Sequence, residues 1–167
     1  MNLASARLTA RLAGTHMLRS RYSTPGEDTW ETSLGQFGSD NKVVFRNVIK
    51  ASLGADIGAF SHTLMGNFRS HYRDILHTAD NCAVTVGNAD GDCAEVQLKV
   101  PNFYTFDWQT QWRAIPNVEL TAGILNLADK EPPLSLRNVG AGHQIGYDPR
   151  YASPIGRTFY LSGTYRF

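Results

Sequence analysis

No run of apolar residues approaches the roughly 18 that a membrane-crossing helix requires. Strong charge imbalance is missing too: 16 basic against 15 acidic residues leave a formal net charge of +1 over the 167 positions. Without a basic field there is no basis for a nucleic-acid partner. Hydrophobic residues are slightly few at 42%, and there are only two cysteines. The start has no charged, then apolar, then small-residue series of a secretory signal. On hydropathy alone these shortages describe a soluble protein. That conclusion is unsafe, because the strands of a membrane barrel alternate and leave little trace in hydropathy. The length suits one domain with a real core.

Alternation is what the chain has in quantity. Near the start, Leu8, Ala10, Leu12, Gly14, His16 and Leu18 share one parity, and Arg7, Thr9, Arg11, Thr15 and Arg19 the other. Acids are absent from this Arg- and Ser-rich stretch, which also fits an organelle transit peptide, but the period of two favours a strand. Val43, Phe45, Ile49, Ala51 and Leu53 oppose Arg46, Lys50 and Ser52. Phe60, Leu64, Phe68 and Tyr72 oppose Ser61, Thr63, Asn67, Arg69 and Arg73. The clearest case sets Tyr104, Phe106, Trp108 and Trp112 against Thr105, Asp107, Gln109, Gln111 and Arg113. Val118, Leu120, Ala122 and Ile124 oppose Glu119 and Thr121, and Phe159, Leu161, Gly163, Tyr165 and Phe167 close the chain. The pattern predicts an all-β, antiparallel up-and-down arrangement of six strands, at about 5–22, 42–54, 57–75, 98–114, 118–128 and 156–167.

The connections carry more information than the strands. Tight turns are expected at Gly54–Ile57 and Ile115–Asn117, whereas residues 23–41, 76–97 and 129–155 form long links rich in Gly, Pro, Asn and Asp. Short and long connections alternate strictly, as in an outer-membrane barrel with short periplasmic turns and long extracellular loops. The strands also exceed the usual five or six residues, and a tilted bilayer crossing takes roughly 9–11. Parity does not say which face meets lipid. The aromatics Tyr72, Tyr104, Phe106, Trp112, Phe159, Tyr165 and Phe167 cluster towards strand ends, where interfacial girdles belong.

The stretch VPNFYTFDWQTQWRAIPNVELTAGILNLADKEPP, followed by GYDPRYASPIGRTFYLSGTYRF, resembles the C-terminal end of a TonB-dependent outer-membrane receptor. The resemblance rests on Asp107, on Asn126, Leu127, Asp129, Lys130, Pro132 and Pro133, and on Gly146, Tyr147, Asp148, Pro149, Arg150, Tyr151, Gly156, Arg157 and Phe167. Ala128 stands where the family often has Phe. The segment VVFRNVIKASLGADIGAFSHTLMGNFRSHYRD resembles the preceding strand pair, with its Tyr-x-Asp close at Tyr72 and Asp74. The likeness implies a 22-stranded barrel, an N-terminal plug and a segment that contacts TonB, of which this chain has room for six strands. It is therefore expected to be the last quarter or so of a receptor for energy-coupled uptake of a scarce solute such as a ferric siderophore. The implied partners are outer-membrane lipid, the plug and the remaining barrel, with TonB reached only through the N-terminal part. The resemblance also implies a periplasmic C-terminus and an assembly signal in Phe159, Leu161, Tyr165 and Phe167. The alternative is a small self-contained outer-membrane or soluble β-barrel with a binding or structural role.

Cys82 and Cys93 flank a Gly-, Asn- and Asp-rich tip and are expected to staple an extracellular-type loop, with metal ligation or free thiols as the other readings. A cross-link over so short a loop is worth roughly 3 kcal/mol in the chain-entropy model. Asn88, Asp90, Asp92 and Glu95 lack the Gly and the terminal Glu of a calcium loop and read as a turn. His16, His62, His71, His77 and His143 are scattered, so no metal or other cofactor is expected. No nucleophile elbow, phosphate loop or paired carboxylates stand out, and an enzyme is not expected. Asp107, Arg113, Glu119 and Arg166 share the polar parity, as a charged lumen wall or as ordinary cross-strand pairs. The transported ligand is not legible.

Overall fold

The computed structural model describes residues 6–26, 28–38, 40–82, 85, 91–136 and 146–167. It is all-β among these residues apart from one 3-10 turn at Ala79–Asn81. Strands β1 (Arg7–His16), β2 (Asn47–Ile57), β3 (Phe60–Arg69), β6 (Phe103–Trp112), β7 (Val118–Leu125) and β8 (Thr158–Tyr165) form one antiparallel sheet in that order. A second, two-stranded sheet pairs β4 (Tyr72–His77) with β5 (Val96–Val100). The large sheet does not close on itself, and β1 and β8 are its edges.

The register explains why the alternation matters. Leu53 stands opposite Ala10 on one side and Leu64 on the other, Leu64 opposite Trp108, Trp108 opposite Ile124, and Ile124 opposite Phe159. Every strand thus presents its apolar set to the same face, since side chains with a period of two keep their face only in this register. That face is uncovered: Leu8 is 79% exposed at one edge and Leu161 78% at the other. The opposite face carries Ser52, Asn67, Gln109 and Thr121.

Both short turns lie at one end of the sheet. The first is Gly58–Ala59, with Gly58 at φ 59°, and not Gly54–Ile57 as the sequence suggested. Apolar parity continues through Ala55 and Ile57, which pair with His62 and Phe60, so the strand ends only where a glycine can take the left-handed backbone. The second turn matches the expectation: Asn117 has φ 63° and the Val118 N–H donates to the Ile115 carbonyl at 3.1 Å.

At the other end the described residues of the long connections, 17–46, 70–102 and 126–157, make a folded head. The expected strands are cut back by it: the first ends at His16 and not at residue 22, the fifth at Leu125 and not at 128, and the last begins at Thr158 and not at 156. Residues 42–46 belong to the head, where Val43 is buried, so the second strand begins at Asn47. The third and fourth each break in two, at Ser70–His71 and Pro101–Asn102. Pro101 cannot donate to a ladder, and the bend is sealed when Asn102 Oδ1 accepts the His71 N–H at 2.7 Å. The bend re-aims Tyr72, which is 4% exposed instead of joining a girdle. Tyr72, Val43 and Val100 form the head's core with Phe37, Phe45 and Tyr151 against them. Phe45 meets Tyr151 edge-on at 4.9 Å and Tyr72 at 5.8 Å, contacts worth about 0.5–1.5 kcal/mol each beyond area burial.

On the polar face one lock spans three strands. Tyr160 of β8 lies across Gly123 of β7 and donates from its hydroxyl to Gln109 of β6 at 3.1 Å. A Cβ on Gly123 would run into the Tyr160 ring, so the strand glycine is where an aromatic ring comes down on the sheet. Gly123→Ala is expected to lower the urea midpoint of the membrane-purified protein by the equivalent of about 1–3 kcal/mol. In a double-mutant cycle with Tyr160→Ala the two losses should not add. Additive losses would show that ring and glycine are not coupled.

Candidate functional site

The head holds its shape through buried carboxylates, one of which, Asp74, ties one connection to another. Asp74 is 0% exposed. Its Oδ2 accepts from the Ser135 hydroxyl and the Leu136 N–H, both at 2.7 Å, and its Oδ1 from the Ile75 N–H at 2.9 Å. This joins the middle connection to the last. The first joins the middle where Phe37 N–H donates to the Arg73 carbonyl at 2.8 Å and Arg73 N–H to Gly35 at 3.0 Å. It joins the last where Val43 N–H donates to the Tyr151 hydroxyl at 3.0 Å and Arg150 donates to the Asn41 carbonyl.

The motif residues fall into two groups. Asn126 takes φ 50° and closes a turn: its Oδ1 accepts from Lys130 N–H at 2.8 Å while its Nδ2 donates to the Lys130 carbonyl at 3.0 Å. Its own N–H donates to Asp107 at 2.8 Å, and Leu127 N–H to the Phe106 carbonyl at 2.7 Å. Asp129 accepts the Arg157 N–H at 2.7 Å, and a Cβ on Gly156 would strike its carboxylate, which explains the glycine. These residues set where β8 begins.

The second group is the turn from Gly146, at φ 72°, through Tyr147, Asp148, Pro149 and Arg150. Buried Asp148 accepts Arg150 through both carboxylate oxygens, Nη2 to Oδ2 at 2.7 Å and Nε to Oδ1 at 3.1 Å. The Arg150 guanidinium also lies 4.9 Å from the Tyr151 ring and is held in its cationic form chiefly by the bond to Asp148. Pro133 lines a small gap together with Tyr72 and Tyr151, and Pro132 precedes it in the chain.

Tyr151 to Gly156 arches over the polar face at the head end. Beneath it is a recess of about 450 Å³, lined by Lys50, Asn67, Arg69, Phe103, Thr105 and Asp107 from the sheet and by Tyr151, Ser153 and Ile155 from the arch. The volume is in the range of small-ligand sites, roughly 300–1,000 Å³. Arg69 donates to the Tyr151 carbonyl and lies 5.8 Å from the Phe45 ring, which pins the arch to β3. Asn67 donates to Asp107 Oδ2 at 3.1 Å. A second hollow, about 510 Å³ at the turn end, is lined by Arg113, Glu119, Thr164 and Arg166.

Of the polar-parity charges, Arg113 and Glu119 pair at 2.9 Å, and Asp107 is taken up by Asn67 and Asn126, which is ordinary neighbour bonding. Cys82 and Cys93 are bonded to each other, Cα atoms 5.5 Å apart, in the connection between β4 and β5. His62 sits on the apolar face, its ring stacked 6.0 Å from both Phe60 and Trp108. His16 bonds Asn47 at 2.6 Å. Phe159, Leu161, Tyr165 and Phe167 are exposed, and the last two meet edge-on at 5.1 Å. His143, Asn88 and Asp90 lie outside the described residues. Among the described residues no group of three or more His, Cys, Asp or Glu side chains could hold a metal ion. Sequence reasoning missed the recess and the Tyr160–Gly123 lock. A glycine within the strand Val118–Leu125 was the available signal for the lock.

Comparison of the chain with protein-family models, with curated proteins and with solved structures found no match in any of the three.

Two outcomes follow from the head's geometry. Removing the Asp74 carboxylate leaves a buried hydroxyl and two N–H groups without their acceptor, at about 1–3 kcal/mol each. Asp74→Ala should therefore make residues 126–136 sensitive to brief protease digestion under conditions where the wild type resists. Burial raises the Tyr72 hydroxyl well above its usual 10.0; nearby Asp74 and Asp148 push the same way, and a Ser135 hydrogen bond pulls back. The folded head disfavours the phenolate. Its stabilising contribution is whole below pH 10 and is lost as pH rises above that value. Head unpacking, followed by near-ultraviolet circular dichroism, should set in above pH 10, and Tyr72→Phe should move it to higher pH.

Proposed function

We propose that the chain is the C-terminal barrel wall of a TonB-dependent outer-membrane receptor, serving energy-coupled uptake of a scarce solute such as a ferric siderophore. On this reading the exposed face meets lipid, the polar face lines the lumen, the two tight turns are periplasmic and the head is extracellular. One observation carries the choice between faces. Residues 151–156 stand on the polar side of the sheet, tied to it by Arg69 and bordering a recess with Lys50, Asn67 and Asp107, while the apolar face stays exposed from β1 to β8. In a soluble barrel the apolar face would be the covered one.

Dimensions support the same reading. Tyr104 and Trp112 bracket the apolar side of β6. Their separation is about 27 Å along the strand, or roughly 20 Å across a bilayer at the usual tilt, near the height of an outer-membrane apolar band. Loops capture the solute, the plug moves when TonB pulls it, and the wall formed here lines the path.

The deciding experiment is the upstream genomic sequence together with membrane fractionation. A reading frame that continues upstream into a plug and earlier strands is expected, as is recovery of the protein in outer membranes. A promoter and export signal serving these residues alone would overturn the proposal. In the full-length protein, Phe167→Ala should reduce the amount in the outer membrane several-fold; unchanged levels would remove the assembly role of the terminal strand.

A further inference from the structure

We infer that the recess under residues 151–156 is a binding site for a small organic anion with an apolar or aromatic body. Lys50 is the centre of the site. Opposite it stand Ala13 and Asn67, and its diagonal neighbours on the same face are Arg11, Thr15, Met65 and Arg69. None of these carries a carboxylate, and two carry positive charge. Diagonal neighbours lie only about 7–8 Å apart, so Arg11, Lys50 and Arg69 form a cationic row across three strands. Asp107 lies in the same recess and keeps its negative charge. Its oxygens accept hydrogen bonds from Asn126 and Asn67, which turn them towards β3 and the Asn126 turn. The lining holds two cations, Lys50 and Arg69, against this one carboxylate. Arg69 is held by the Tyr151 carbonyl. Lys50 is the exposed cation that lines the space.

The remaining walls suit an organic body: Phe103 and Ile155 are apolar, while Thr105 and Thr158 offer hydroxyls. An anion here would meet Lys50 directly and relieve the repulsion along the row, which gives it an advantage that a neutral molecule of the same shape lacks. Read with the proposed function, the recess names the solute class as anionic. The binding itself rests only on the head and the polar face.

The test titrates the full chain with 2-aminobenzoate and with its neutral counterpart 2-aminobenzamide, following ligand fluorescence. The protein used is purified from membranes of cells that express it, in its full-length form if the frame extends upstream. Saturable binding of the acid, at least tenfold tighter than the amide and weakened by 0.5 M salt, is expected. Lys50→Gln should weaken it about tenfold and Lys50→Glu abolish it, while Arg166→Ala at the far end leaves it unchanged. Circular dichroism on each variant separates lost charge from lost fold. Equal affinity for acid and amide, or wild-type affinity in folded Lys50→Glu, overturns the site. Anion binding in a protein with no plug upstream keeps the recess and discards the receptor; a plug without anion binding does the reverse.

Discussion

A slip of one residue between β3 and β6 would carry Trp108 and Phe106 to the face that now holds Asn67 and Gln109. Asp107 would then be thrust among Leu53, Leu64 and Ile124. The observed pairing of Leu64 with Trp108 and Met65 with Asp107 prevents this, and the neighbouring pairings inherit it. A sheet that is apolar on one side and polar on the other has only one acceptable register. Asn67 reinforces it from the polar side by reaching Asp107, and Tyr160 does the same two strands further on by reaching Gln109. The faces, the lock and the recess all follow from that pairing.

The same register fixes where the head can attach. Asp107 ends its run by accepting the Asn126 N–H, which starts the Asn126–Lys130 turn, which positions Asp129 to receive Arg157 and so begins β8. Asp107 thus helps place the last strand without touching it. Asp74 and Asp148 act similarly within the head. A fully buried carboxylate is tolerable only when its oxygens are satisfied, and satisfying them draws together residues 74, 135 and 136, or 148 and 150. Long connections so constrained present a shaped surface, whereas unconstrained ones of this length would lose that surface to conformational entropy.

What could be read in the sequence was the period. Six alternating runs, two tight turns and three long links were visible because alternation and turn chemistry are local. The misplaced features were those that tertiary contacts decide. Tyr72 continued the parity of Phe60, Leu64 and Phe68, yet the bend at Ser70 and Asn102 sends it into a core with Val43 and Tyr151. The turn at Gly58 was misjudged because Gly54 also punctuates the run, and only the partners of Ala55 and Ile57 show that the ladder continues past it. The recess was out of reach, since its walls come from residues as far apart as Lys50 and Thr158. The motif residues were legible as a pattern, but their work, placing β8 and knitting three connections, needed the geometry.

The two edges bring these strands of argument together. β1 carries no proline among its ten residues and β8 none among its eight, so every residue of both edges can offer a backbone N–H, and only Arg7 and Arg11 of β1 put charge on an edge. In water such edges invite aggregation; in hydrocarbon each unpaired N–H or C=O costs several kcal/mol. A bare apolar face therefore sharpens the demand that the edges make. Lipid can satisfy the face but never the edges, and water can satisfy the edges but not the face. Pairing both edges with further strands, from the rest of a receptor or from other copies of the chain, in a barrel whose outside is apolar and whose inside is wet, would satisfy the two at once. The proposed receptor wall has that arrangement, and it leaves the recess opening inward, where an anionic solute would pass Lys50.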